Sequence, residues 1–142
     1  MTRAKARTPA SGLFTGTPRR MTAQRRQVVE VLHIARRYLT AKEMHDRLRG
    51  KRPRIGLATV YRTMDALREV GAVSARVQPH GETAYLWCAR QHHHHAVCMR
   101  CGRVEDVRCR ALPDYKRSLS RGLGFAVLDH QLEFFGVCAR CS

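Results

Sequence analysis

Apolar positions divide the chain into a periodic first part and a second part where the period breaks down. Over residues 22–39, Val28, Leu32, Ala35 and Leu39 recur at helical spacing and predict a first helix. Thr40 and Glu43 form a T-x-x-E capping box, so a second helix should start at 41, bury Met44 and Leu48 and stop near Gly50. The basic segment KRPRIG follows, and Pro53 blocks helix there. A third helix is predicted from about Leu57 to Val70. Its inner face would be Leu57, Val60, Met64 and Leu67, with Gly71 as its C′ residue. Strand-like runs at 73–78 and 83–88 flank a PHGE turn at 79–82. Three helices followed by a hairpin of this length is the order of a winged helix-turn-helix.

Beyond Trp87 the character changes to cysteine, histidine and short strands. Residues 95–107 predict a small hairpin around Cys98 and Cys101. Residues 111–121 predict a helix burying Leu112, Tyr115 and Leu119. Residues 125–135 predict a strand with Leu128, His130, Leu132 and Phe134 on one face. The expected fold class is α+β. A winged helix-turn-helix domain at 18–88 would be followed by a small α/β domain at 89–142. Residues 1–17, basic and without apolar period, read as a flexible tail.

Charge sharpens this picture. The net formal charge is +16, of which +12 falls in residues 1–86 and +4 in 87–142. A basic first part points to a polyanionic partner, here double-stranded DNA. On the third helix Val60 points inward, so Ala58, Arg62 and Asp65 point out, with Thr59 and Tyr61 on the flanks. Thr59, Tyr61 and Arg62 suit contacts in a major groove, since Arg can fork onto guanine and Tyr can touch a thymine methyl or a phosphate. Arg20 and Arg25, near the start of the first helix, are further phosphate candidates. No apolar run approaches the roughly 18 residues of a membrane span, and the basic start lacks a secretory apolar stretch. A cytoplasmic address is expected, where six cysteines read as metal ligands rather than disulfides.

Cys98-x2-Cys101 and Cys138-x2-Cys141 are two knuckles with 36 residues between them. Four thiolates at this spacing suit a closed tetrahedral zinc site. The run His92-His93-His94-His95 follows Cys88 closely. In an extended segment His93 and His95 face one way and His92 and His94 the other, so one stretch can serve two metal sites. His33 and His45, on helices, read as surface or core residues, and Cys109 has no partner at ligand spacing. No carboxylate orienter or oxyanion motif supports a Cys–His hydrolase, and no small-molecule substrate is implied.

Three motifs in this order, GLATVYRTMDALREVGAV at 56–73, HHHHAVCMRCG at 92–102 and CARC at 138–141, resemble the ferric uptake regulator family over about residues 18–142. The resemblance implies a homodimeric, metal-activated transcriptional regulator, with 89–142 as its metal-binding dimerisation domain. The segment GETAYLWC, with Cys88 ten residues before Cys98, is most like the zinc uptake regulators. Carried over, it implies a sensory zinc site of Cys88, His93 and His95. His80, in the PHGE turn, is the candidate for the missing fourth ligand, and Asp106, near where other branches of the family place a ligand, is the second choice. It also implies an accessory zinc site of His92, His94 and His130. Pro113 stands where the family usually has Glu, leaving Asp114 as the substitute, and Ser74 stands where zinc regulators often have Asp. Arg20 gains weight as a DNA contact. The implied activity is repression of zinc-uptake genes from palindromic operators by a zinc-loaded homodimer. An iron-, manganese-, nickel- or peroxide-sensing relative and a zinc-ribbon RNA-binding protein are the alternatives.

Overall fold

The computed structural model describes residues 13, 20–88, 93–107, 112–128 and 130–142. The expected tail is therefore largely outside the described residues, as are His92 and Cys109. The chain forms two units, Met1–Ala89 and Arg90–Ser142.

Helix α1 (Ala23–Ala35) starts where the Thr22 hydroxyl accepts the Arg25 amide at 3.2 Å. It ends at Arg36, whose left-handed φ of 47° breaks the ladder. The expected extension to residue 39 does not occur. Leu39 and Thr40 instead form β1 (Leu39–Thr40), which pairs antiparallel with Tyr85 and Ala84 of β3 (Thr83–Trp87). A long-range pairing outweighs the local helical period there. Helix α2 (Ala41–Leu48) is opened by both halves of the capping box. The Glu43 amide donates to the Thr40 hydroxyl at 3.2 Å, and the Thr40 amide to the Glu43 carboxylate at 2.8 Å.

Helix α3 (Leu57–Glu69) closes in a Schellman motif. Gly71, at φ 67°, donates its amide to the Arg68 carbonyl at 3.0 Å, and Ala72 donates to Leu67 at 2.8 Å. The chain then enters β2 (Val73–Val77), which runs back along β3 with Val73 opposite Trp87 and Val77 opposite Thr83. The sheet order is β1-β3-β2. Val28, Leu32, Met44, Val60, Met64 and Leu67 are fully buried where the three helices meet. Burying each such side chain stabilises by about 1.5–3 kcal/mol. Leu57, expected inside, is 38% exposed. Thr63 is buried in its stead, its hydroxyl donating to the Thr59 carbonyl at 2.7 Å.

In the second unit, β4 (His94–Cys98) is the central strand. Antiparallel β5 (Val104–Val107) lies on one side and parallel β6 (Glu133–Gly136) on the other. Helix α4 (Leu112–Leu123) lies between β5 and β6 in the chain. The expected strand 125–135 is shorter and later. A five-residue β4 pairs only four positions of β6, His95 opposite Glu133 through Cys98 opposite Gly136. Leu128, expected on a buried face, precedes that pairing and is 90% exposed; Tyr115 is likewise exposed. Among the described residues no helix is long and apolar enough to cross a membrane.

Candidate metal centre and nucleic-acid interface

Both cysteine knuckles are tight turns at the ends of paired strands. Cys98 ends β4, and its carbonyl accepts the Gly102 amide at 2.9 Å, with Gly102 at φ 70°. The Cys138 carbonyl accepts the amides of Cys141 at 2.8 Å and Ser142 at 3.0 Å. Met99 donates to the Gly136 carbonyl at 2.7 Å, tying the first knuckle to the end of β6. These turns bring the four thiol sulfurs within 4.8 Å of one another. Cys101 and Cys138 sulfurs are 3.8 Å apart. That is far beyond a disulfide bond of about 2 Å, and it equals the edge of a tetrahedron with metal–sulfur bonds of about 2.3 Å.

The local electrostatics favour a cation. Backbone amides of Cys138, Cys101 and Arg100 aim at the Cys98 sulfur and lower its pKa to about 6. Hydrogen bonds with the thiols of Cys101 and Cys138 push Cys141 up to about 12. One thiolate forms readily and a neighbour resists joining it, a conflict that a bound divalent ion removes. The donor set fits zinc. Arg100 also donates to the Cys141 carbonyl, linking the knuckles.

The histidines separate by strand face. His93 and His95 bring their Nε2 atoms to 3.1 Å. Asp106 of β5 stands 3.8 Å from His93 Nε2. Glu133 of β6 stands 3.9 Å from His95 Nδ1. Burial, then the neighbouring His93, lowers the His95 pKa and favours the neutral, ligating imidazole. On the other face His94 meets His130, Nε2 to Nε2 at 3.3 Å. Glu133 was not expected. Its only signal is the parallel β4–β6 register, which no local pattern encodes.

Two expected ligands are elsewhere. His80 lies in the turn of the β2–β3 hairpin, whereas Cys88 follows the far end of β3 and donates its amide to Ala72 at 2.9 Å. Five strand residues at about 3.3 Å each separate them, so they cannot share an ion. Asp114 is exposed on the first turn of α4 and is paired with Arg117 rather than with His94 or His130.

On α3, Ala58, Tyr61, Arg62 and Asp65 form an exposed stripe, while Thr59 is half-buried at its edge. Tyr61 is 44% exposed although aromatic. Arg20 is exposed and its carbonyl accepts the Arg25 guanidinium at 2.7 Å. On the hairpin, the Arg76 guanidinium lies 4.5 Å over the Tyr38 ring.

The ferric uptake regulator family profile matches residues 17–135. The chain is 36% identical over 127 residues to the ferric uptake regulation protein of Bacillus subtilis (strain 168), covering 87% of this chain and 85% of that one. It is 34% identical over 122 residues to the zinc uptake regulation protein of Mycobacterium tuberculosis, covering 86% and 94%. Among solved structures, a zinc uptake regulator complexed with zinc and DNA is similar at a TM-score of 0.65 and 31% identity, covering 86% of this chain and 83% of that one.

Proposed function

This chain belongs to the ferric uptake regulator family of metal-responsive transcription regulators, and from that premise we propose that it is a zinc-responsive repressor. It acts as a homodimer on palindromic operator DNA and controls zinc uptake genes. Similarity alone does not choose the metal, because relatives named for iron and for zinc are 36% and 34% identical. Donor chemistry supports zinc. The observation that carries the reading is the close imidazole pair of His93 and His95, preceded five residues earlier by the cysteine Cys88. A thiolate beside two imidazoles selects a borderline-soft ion such as zinc. With His80 remote, Asp106 is the fourth ligand of this sensory site.

The four cysteines hold a structural zinc, and His94 and His130 belong to the accessory site. Tyr61, Arg62 and Thr59 read the operator, and Arg20 meets its backbone. Dimerisation is supported by the large apolar side chains left open in the second unit, Leu123, Phe125, Leu128 and Phe134 among them. Cys88 precedes the histidine run closely in the chain, so zinc held by both would select one conformation from an ensemble. In a dimer that sets the spacing of two α3 helices to match two half-sites.

The carboxylates of Asp106 and Glu133 beside the imidazoles favour a second reading, an iron- or manganese-responsive regulator using oxygen and nitrogen donors. One experiment separates them. Cys88→Ser should keep the fold, the dimer and one zinc per chain, and lose zinc-activated operator binding. A variant that still responds to buffered zinc as the parent does would overturn the zinc assignment. Activation of the parent by iron(II) or manganese(II) at lower free concentration than zinc would establish the second reading.

A further inference from the structure

Residues 51–54, Lys-Arg-Pro-Arg, place three cations in four exposed positions directly before α3. Charge runs are usually solvated and mobile. The backbone of this one is anchored at Lys51, Arg52 and Arg54. The Lys51 amide donates to the Leu48 carbonyl at 3.1 Å. Two glutamines one turn apart on α1 reach across to the segment's backbone. Gln27 Nε2 donates to the Arg52 carbonyl at 2.7 Å, and Gln24 Nε2 donates to the Arg54 carbonyl at 2.8 Å. Pro53 fixes its own φ between those two anchors, and Ile55, 8% exposed, sinks into the core after them.

The cations are also left available. The acids of α2 are already paired, Asp46 with Arg49 at 2.7 Å and Glu43 with Arg37 at 3.4 Å. The first turn of α3 carries no acid, and Gly56 caps it without a side chain. The backbone is thus fixed by side-chain amides while the guanidinium and ammonium groups stay in solvent. That is the arrangement of a preorganised polyanion contact, which loses little ordering entropy on binding.

We propose that residues 51–54, clamped by Gln24 and Gln27, form a sequence-independent contact to the DNA sugar-phosphate backbone at the edge of the groove entered by α3. The proposal rests on the reading of α3 as the DNA-reading helix. Residues just before the amino end of such a helix reach the flank of the groove, where phosphates run. Phosphate contacts fix register and orientation, and base contacts on Tyr61 and Arg62 then specify. Gln24 and Gln27 are positioning residues, acting through the loop without touching DNA.

The test uses the full zinc-loaded chain and two probes. One is a duplex selected from a random pool for tight binding to the parent; the other is a scrambled duplex of equal length and composition. Arg52→Ala and Arg54→Ala should each weaken binding to both duplexes by the same factor and lower the salt slope by about one. Arg54→Lys should restore the slope, because it restores the charge. The double variant Gln24→Ala, Gln27→Ala should keep the parent's salt slope, since every cation remains, yet bind both duplexes about threefold to tenfold more weakly. Melting of each variant near the parent temperature excludes a general folding loss. An Arg52→Ala or Arg54→Ala protein with unchanged slope and affinity overturns the backbone contact. A loss confined to the selected duplex overturns its sequence independence. A double glutamine variant that binds as the parent overturns the clamp. A parent that prefers no duplex in the pool overturns the DNA-regulator reading itself, and this proposal with it.

Discussion

In the first unit each helix turns fully buried side chains toward the others, from Leu32 through Met44 to Val60, Met64 and Leu67. In the second unit the described residues bury Val97 and Val104 beside Cys98, His94 and His95, while Phe125, Leu128 and Phe134 stay open. Area removed from water holds the first unit together. Among the described residues the second buries fewer large apolar side chains, and four cysteines converge in it.

Substitutions can break or sharpen this contrast. The largest effect should come from Cys138→Ser, which removes one thiolate from a closed site. Structural zinc contributes about 10–16 kcal/mol of apparent binding energy in small domains, so the second unit should unfold and the dimer should be lost. Residues 23–87 should retain their hydrogen-exchange protection. A normal dimer mass for this variant, by sedimentation, would mean the cysteines do not close the unit. Next, Met64→Ala opens a cavity in the first core and should cost about 2–5 kcal/mol. Denaturant unfolding should register that loss with the zinc count unchanged; a fall in zinc content would show that the two units are not separately held.

Arg62→Ala should cost about 1–3 kcal/mol in operator affinity and blur preference at one base pair. Its melting temperature should match the parent, since Arg62 is exposed. Unaltered preference would move the reading face elsewhere. The smallest effect should be Thr40→Ala, which removes the hydroxyl half of the α2 cap and costs about 0.5–2 kcal/mol. Chemical denaturation followed in the first unit would detect it. No change would mean that Glu43 alone satisfies the helix start.

What the sequence disclosed follows the range of the interactions involved. The α2 capping box, the Gly71 stop and the cysteine knuckles are local, and they stand where the spacing predicted. The local period carries α1 too far because Leu39 answers to Tyr85, far along the chain. Leu128 and Tyr115 carry an apolar signal that a single copy of the chain does not bury. His80 has the right residue type for a ligand, and the β2–β3 register alone reveals that it lies at the far end of the hairpin from Cys88. Glu133 is silent in the sequence for the same reason, since its nearness to His95 exists only through the parallel pairing of β4 and β6.

The 36 residues between the knuckles can also be viewed as a polymer loop. Strand β6 can lie parallel to β4 only after that loop closes, and closure entropy grows roughly as (3/2)RT ln n. Parallel pairing of distant strands is among the slow events of folding. An ion held by both knuckles would keep that loop closed and leave β6 two residues from its anchor, nearly in register. Holding the knuckles together would then bear on the order of folding as well as its depth: once the loop is closed, four residues remain to zip.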